Sequence, residues 1–133
     1  MSNRILIVDD DRTSIELLTM QLAEVSEEIR GLTDSSEVVS AFMEFKPDLM
    51  LLDLHMPPPD GLEVLWLLRD ARTEMGYVPV IVLTADSSRM ARNSVLILGA
   101  DDFLTKPFDR WEVVLRARNL LRTRRLYTEL QQQ

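Results

Sequence analysis

The chain has 133 residues, a formal net charge of −7, and a composition of 46% hydrophobic and 28% charged residues. A chain of this length fits one domain that buries roughly two-thirds of the surface its unfolded form exposes, and its composition excludes a disordered protein. There is no cysteine, which excludes disulfide bonds and thiolate metal sites. No signal peptide pattern and no apolar run of membrane-spanning length is found, so we expect a cytoplasmic protein without a membrane partner.

The charge is unevenly distributed along the chain. Residues 109–133 carry six arginines and three acidic residues, so the acidic excess lies entirely in residues 1–108. An acidic body repels phosphate backbones, and we therefore expect no direct binding of nucleic acid. The basic terminal segment remains an asymmetry that the function has to explain.

Apolar runs and helical periodicity alternate along the chain, which predicts five strands and five helices. The strands are predicted at residues 4–8, 28–32, 48–53, 78–84 and 102–106. The helices are predicted at about 12–24, from 33–36 to 45, at about 60–74, from Ser87 or Ser88 to Leu98, and from Asp109 onward. Thr13 with Glu16, and Asp60 with Glu63, have the spacing of helix capping boxes.

Two helices carry a predicted core-facing side that includes a tryptophan. The set in the third helix is Leu62, Leu65, Trp66 and Leu68, and the set in the last helix is Trp111, Val114, Leu115 and Ala117. Strands that are joined through helices are parallel, with right-handed crossovers. We expect a flavodoxin-like, doubly wound α/β fold with the strand order 2-1-3-4-5, because the second strand is the weakest and suits a sheet edge.

Polar side chains stand at the carboxyl ends of four predicted strands: Asp9, Asp10, Asp53, Thr84 and Lys106. Ligands of open α/β sheets bind at this edge. Three converging carboxylates repel one another unless a cation lies between them, and an all-oxygen site suits Mg²⁺, with Mn²⁺ as an alternative. A hydroxyl and an ammonium group opposite a metal are what a transferred phosphoryl group needs, and Asp53 is the carboxylate placed as nucleophile.

Other polar residues have simpler interpretations. Asp11 is predicted to cap a helix or face solvent, and Asp101 and Asp102 are predicted to be turn residues. His55 is the only histidine, so its imidazole is not expected to bind a metal.

Five segments together resemble a known family: residues 5–11 (ILIVDDD), 51–57 (LLDLHMP), 60–61 (DG), 82–85 (VLTA) and 100–108 (ADDFLTKPF). They are similar, in order and spacing, to the receiver domain of two-component response regulators over about residues 4–122. The resemblance implies that Asp53 takes a phosphoryl group from a histidine kinase or a phosphotransfer protein. It also implies that Asp10, Asp53 and the backbone carbonyl of His55 bind Mg²⁺, with Asp9 acting through water.

The same resemblance implies roles for residues on the other side of the site. Thr84 and Lys106 hold the phosphoryl oxygens, Lys106-Pro107 carries a cis peptide, and Phe103 occupies the aromatic switch position. Phosphorylation then remodels the face formed by the fourth helix, the fifth strand and the fifth helix. Phe103 has no hydroxyl group, so its switch rests on packing. His55 and Asp86 occupy the positions that tune dephosphorylation in this family.

The last helix has no glycine or proline to end it before the terminus. We expect residues 1–122 to form the receiver domain and residues 123–133 to form a helical extension or the start of a linker to an output domain beyond this chain. Leu120, Tyr127 and Leu130 are predicted to form a short apolar seam that allows a homodimer. A frayed, solvated tail is the alternative.

Two other functions are alternatives to a receiver that catalyses only its own phosphorylation and dephosphorylation. The first is a haloacid-dehalogenase-type phosphatase, because Asp9 to Thr13 fits its Asp-x-Asp-x-Thr signature. That function leaves Asp53 without a role, and the chain has no insertion for a substrate cap. The second is a receiver-like module that binds partners without phosphorylation, which the presence of the acceptor, the acidic pair and Lys106 disfavours.

Overall fold

The apolar runs form a single parallel sheet with helices on both faces. The computed structural model describes residues 3–85 and 89–132. The strands are β1 (Arg4–Val8), β2 (Glu28–Leu32), β3 (Leu49–Asp53), β4 (Val80–Thr84) and β5 (Asp102–Thr105). The helices are α1 (Arg12–Gln21), α2 (Val38–Phe45), α3 (Gly61–Glu74), α4 (Arg89–Ile97) and α5 (Arg110–Gln131), with a 3-10 turn at Ser35–Glu37. The order is β2-β1-β3-β4-β5 and every pair is parallel, which confirms the predicted flavodoxin-like fold.

The two central strands, β3 and β4, are buried along their whole length. Successive side chains of a strand point to opposite faces, so Leu49 and Leu51 enter one core cluster while Met50 and Leu52 enter the other. The first of these clusters includes residues of α1 and α5, and the second includes residues of α2 and α3. This double burial explains why the strands have continuous apolar sequences instead of alternating ones.

The caps of the helices are only partly as predicted. The box of Asp60 and Glu63 is confirmed, because each side chain accepts a hydrogen bond from the backbone N–H of the other. The predicted box of Thr13 and Glu16 is wrong, since the N-cap of α1 is Asp11, whose carboxylate accepts from the Thr13 N–H at 2.9 Å. Thr13 already lies inside the first turn, where it cannot act as the cap. α1 also ends at Gln21, three residues earlier than expected.

Both tryptophans were predicted to face the core, and both are exposed, as is Leu115. Trp66 is 56% exposed and Trp111 is 80% exposed. Four residues of the predicted sets are buried as expected: Leu65 and Leu68 in α3, and Val114 and Ala117 in α5. The remaining buried positions are Gly61 and Val64 in α3 and Val113 and Leu121 in α5. Trp66 instead has the Arg69 guanidinium 3.6 Å from its ring centroid, a cation–π contact at the surface.

α5 continues without a break through Gln131, and its last turns contact the amino-terminal edge of the sheet. Arg124 pairs with Asp48 at 2.9 Å, and the ring centroid of Tyr127 lies 5.5 Å from that of Tyr77. Leu120 packs against the core, so the predicted seam of Leu120, Tyr127 and Leu130 is not one free apolar face. No helix in the described ranges is both long and apolar enough to cross a membrane.

Gly61 provides a test of how closely α3 approaches the end of β3. A Cβ atom at this position would lie 2.6 Å from the carbonyl oxygen of Asp53 and 2.6 Å from the Cα of Leu54. We expect Gly61→Ala to lower the free energy of unfolding by about 1 to 3 kcal/mol, because both contacts are backbone atoms that cannot rotate away. Urea unfolding measures this change.

The matched control is Gly76→Asn. Gly76 has φ +83° with nothing within 4 Å of an added Cβ, and asparagine tolerates the left-handed region. Its stability should change far less than that of Gly61→Ala. An equal loss in the two variants would contradict the close approach at Gly61.

Candidate functional site

The register of the sheet brings two carboxylates side by side. Val8 pairs with Leu52, so the residues that follow them, Asp9 and Asp53, leave adjacent strands at the same edge. Asp9 is fully buried and Asp53 is 2% exposed, whereas Asp10 lies at the surface. Two buried, neighbouring carboxylates repel each other and lose hydration, so the site needs a positive charge.

Lys106, which directly follows β5, supplies that charge. Its Nζ lies 3.2 Å from Asp9 Oδ2 and 3.4 Å from Asp53 Oδ1. Its backbone N–H donates to the carbonyl of Thr84 at 2.8 Å, which ties the residue to the end of β4. The predicted cis peptide between Lys106 and Pro107 is confirmed. One ammonium group therefore bridges two carboxylates that come from different strands.

This arrangement perturbs the acid–base properties of both partners. Burial and, after it, the neighbouring charge of Asp9 raise the pKa of Asp53 from 3.8 to about 6, against the opposing effects of Lys106 and of the His55 N–H. Burial by itself lowers the pKa of Lys106, but the Asp53 and Asp9 carboxylates outweigh it and raise the pKa above its usual value. The lysine is thus held in its charged form, while the charged form of Asp53 is destabilised.

Asp9, Asp10 and Asp53 also form a cluster that could hold a metal ion. Each offers a carboxylate oxygen, and these atoms lie within 4.8 Å of one another. A donor set made only of oxygens fits a hard divalent cation. Among the described residues, the imidazole of His55 is not part of this cluster.

The side chain of His55 has a contact that the sequence did not predict. Its Nε2 lies 3.5 Å from the hydroxyl oxygen of Thr84, which is buried at the end of β4. The two residues are 29 positions apart, and no spacing signal in the sequence joins them. The ends of β3 and β4 are therefore linked by the contact between His55 and Thr84 as well as by Lys106.

Phe103 lies in β5 and is partly buried against the core cluster that includes α2 and α3. The guanidinium of Arg92, in α4, lies 4.4 Å from the centroid of its ring. The aromatic residue is thus half-buried and has a cation on one face. Asp86 and the predicted helix start at Ser87 or Ser88 lie outside the described residues.

Two acidic residues predicted to lie in a turn have more specific positions. Asp101 accepts hydrogen bonds from the Val80 N–H at 2.8 Å and the Tyr77 hydroxyl at 2.9 Å, and it also pairs with Arg72. Asp102 is the first residue of β5. Asp101 therefore cross-links the amino-terminal ends of two strands instead of merely closing a turn.

Comparison with known proteins decides the family. The family model described as response regulator receiver domain matches residues 5–118. The chain belongs to this family. It is a two-component receiver domain and not a conventional enzyme, and a receiver implies a kinase partner.

The relatives of the chain are longer proteins, and the chain matches one part of each. The transcriptional regulatory protein TrcR of Mycobacterium tuberculosis is 39% identical over 119 residues, which are 90% of this chain and 45% of TrcR. The DNA-binding response regulator MtrA of Mycolicibacterium smegmatis is 39% identical over 122 residues, which are 92% of this chain and 52% of MtrA. A crystal structure of NtrX from Brucella abortus matches with a TM-score of 0.88 and 28% identity, over 99% of this chain and 29% of that one. The chain spans about half the length of the curated relatives it matches.

The raised pKa of Asp53 predicts how the stability of the folded protein depends on pH. The carboxyl group ionises near 3.8 in the unfolded chain and near 6 in the folded protein, so the folded state binds more protons between these values. Stability attributable to Asp53 therefore falls as the pH rises from about 4 to about 6. We expect Asp53→Asn to raise the free energy of unfolding at pH 7.5 by about 1 to 3 kcal/mol and to change it little at pH 4.

Denaturant unfolding in the presence of a chelator at both pH values measures the effect. Asp70→Asn is the control, because it removes an exposed carboxylate from the surface of α3 and should change the free energy of unfolding little at either pH. Equal stability of Asp53→Asn and the wild type at pH 7.5 would contradict the buried, destabilised carboxylate.

Proposed function

We propose that this receiver domain accepts a phosphoryl group on Asp53 from a histidine kinase or a phosphotransfer protein, with Mg²⁺ bound, and acts as a cytoplasmic signalling switch. The observation that carries the proposal is the buried carboxylate of Asp53 beside Lys106 and a second buried carboxylate, Asp9. A nucleophile held in this way is activated by its surroundings, and the lysine neutralises the charge of an incoming phosphoryl oxygen.

The hydrogen bonds of the two buried carboxylates favour Asp53 over Asp9 as nucleophile. Asp9 uses both oxygens, since Oδ1 accepts from the Asp11 N–H at 2.9 Å and Oδ2 contacts Lys106. Among the described residues, the contacts of Asp53 with Lys106 and with the His55 N–H both involve Oδ1. Oδ2 of Asp53 is then the oxygen that attacks phosphorus, which disfavours the haloacid-dehalogenase-type reaction on Asp9.

The metal belongs to the same proposal. Asp10, Asp53 and the backbone carbonyl of His55 would hold Mg²⁺ or Mn²⁺, with Asp9 contributing through water. The bound ion supplies charge neutralisation for the phosphoryl oxygens. The exposure of Asp10, the one surface carboxylate of the cluster, supports its role as the group that meets a cation from solution.

Thr84 and Phe103 are proposed as the switch residues. The Thr84 hydroxyl would move toward a phosphoryl group on Asp53 and leave its present contact with His55. Phe103, half-buried on the neighbouring strand, would then move inward, away from Arg92, and change the face of α4, β5 and α5. Such a shift requires the phosphoryl group to bind the active arrangement more tightly than the inactive one.

Phosphorylation of the purified chain tests this function. With acetyl phosphate and Mg²⁺, the intact mass should rise by one phosphoryl group, and peptide mapping should locate it on Asp53. Asp53→Ala should abolish the labelling and Asp9→Asn should only slow it, while Asp70→Asn should label as the wild type does. Labelling on Asp9, or full labelling of Asp53→Ala, would overturn the assignment.

The carboxyl-terminal end of the chain, away from the strand ends that carry Asp53 and Lys106, is proposed to transmit the signal. Because the relatives are about twice as long and include proteins named as DNA-binding, we propose that residues 1–122 are the receiver and that residues 123–133 lead toward an output region. The unbroken course of α5 through Gln131 supports a helical connection. The acidic excess of residues 1–108 argues that any contact with DNA is made by other parts of a longer protein.

The exposed leucines at the end of α5 make a homodimer testable. Leu126 is 56% exposed and Leu130 is 65% exposed, one helical turn apart. We expect beryllium fluoride with Mg²⁺ to increase the dimer fraction in light scattering, and we expect a Leu126→Ala, Leu130→Ala double variant to reduce it. Leu67→Ala, which removes an exposed leucine from α3, is the control. Equal monomer fractions in all samples would exclude the pairing.

A further inference from the structure

The loop between β3 and α3 has no backbone N–H donors at its tip. Residues 57–59 are three consecutive prolines, and a proline has no backbone N–H to donate. The base of the loop is fixed by the backbone, with Leu54 N–H donating to the carbonyl of Leu83 at 2.9 Å and Gly61 N–H donating to the carbonyl of Leu54 at 3.0 Å. A direct hydrogen bond that holds the tip must therefore come from a donor elsewhere in the chain to one of the proline carbonyls.

Ser35 is that donor. Its hydroxyl donates to the carbonyl of Pro59 at 2.7 Å, with the carbonyl of Pro57 as a longer second contact at 3.4 Å. Ser35 is buried, and it opens the 3-10 turn that Asp34 caps. A side chain more than twenty positions away in sequence therefore holds the tip of the loop against the start of α2.

The residue that this loop carries next to the site is His55. Its backbone N–H donates to Asp53 Oδ1 at 3.3 Å, and its ring lies 3.5 Å from the Thr84 hydroxyl. The backbone of His55 therefore helps to orient the acceptor carboxylate, and its side chain contacts the end of β4. Both contacts depend on the path of a short loop that is fixed at its base and at its tip.

We propose that Ser35 is a positioning residue for phosphoryl acceptance, which acts through the Pro57–Pro59 loop on the backbone of His55. The proposal rests on the assignment of Asp53 as acceptor. A hydroxyl at position 35 keeps the His55 carbonyl and N–H in place for the metal ion and the carboxylate. Without it, the loop tip samples other positions and the metal site is occupied less often at a given concentration.

Three variants separate this role from a general effect on folding. Ser35→Ala removes the donor, and Ser35→Thr keeps a hydroxyl. Ser36→Ala is the matched control, because it removes a hydroxyl from the next residue, which is exposed and bonds only to Asp34 in the described structure. The affinity for Mn²⁺ is measured by loss of the free-ion electron paramagnetic resonance signal, and the labelling rate is measured with acetyl phosphate.

We expect Ser35→Ala to weaken Mn²⁺ binding and to slow labelling at subsaturating Mg²⁺ by about three- to ten-fold, the range for loss of one hydrogen bond. Amide hydrogen exchange at His55 and Met56 should become faster by a similar factor. Saturating Mg²⁺ should restore most of the labelling rate, which a simple loss of folded protein would not allow. Ser35→Thr should retain most of the affinity, and Ser36→Ala should match the wild type.

The possible failures are distinguishable. If the wild type itself takes no phosphoryl group on Asp53, the proposed function fails. If the wild type is labelled and Ser35→Ala matches it in Mn²⁺ affinity, labelling and amide exchange, the role of Ser35 is wrong. An equal loss in Ser36→Ala would show a general effect of the start of α2 and would also overturn it. If Ser35→Ala does not fold, folded Ser35→Thr is compared with the wild type instead. A loss of Mn²⁺ affinity in Ser35→Thr as large as the one predicted for Ser35→Ala would contradict the role of the hydroxyl group.

Discussion

The fold is built around two buried carboxylates that one lysine has to balance. Asp9 and Asp53 sit on adjacent strands with almost no solvent contact, and their mutual repulsion and lost hydration oppose folding. Lys106 offsets part of this cost by contacting both groups, and the remainder is visible in the raised pKa of Asp53. A site under such electrostatic strain is stabilised when a cation binds to it.

The site residues and the tail of α5 lie at opposite edges of the parallel sheet. β3 begins next to Asp48, which pairs with Arg124 of α5, and it ends in Asp53. β5 begins after Asp101, and it ends just before Lys106. The strand that carries Asp53 therefore starts beside a residue that contacts the last turns of α5. Asp101 reaches the same helix indirectly, through Tyr77, whose ring contacts that of Tyr127. β3, which is buried along its whole length, connects these two edges of the molecule.

The loop after Asp53 shows how side chains replace missing backbone donors. Three prolines remove the N–H groups that a loop normally uses, and the Ser35 hydroxyl takes over at the tip. The capping box of Asp60 and Glu63 and the close approach of Gly61 complete the exit into α3. Local sequence determines the last two features, because the residues involved are neighbours. The contact with Ser35 exists only because β2 and β3 flank β1 in the sheet.

The sequence by itself determined the strands, their order and the group of polar residues at their ends. Continuous apolar runs, helical periodicity and polar strand ends are local signals, and parallel crossovers leave few topologies. It indicated part of the buried side of α3 and α5, such as Leu65 and Val114, but not the limits of that side. Each helix has more apolar residues than its stripe can bury, and Trp66 and Trp111 are exposed for that reason. Contacts between distant segments, such as His55 with Thr84, Ser35 with Pro59 and Tyr127 with Tyr77, were decided only by tertiary structure. They depend on which surfaces the packed sheet brings together, and no spacing along the chain encodes that.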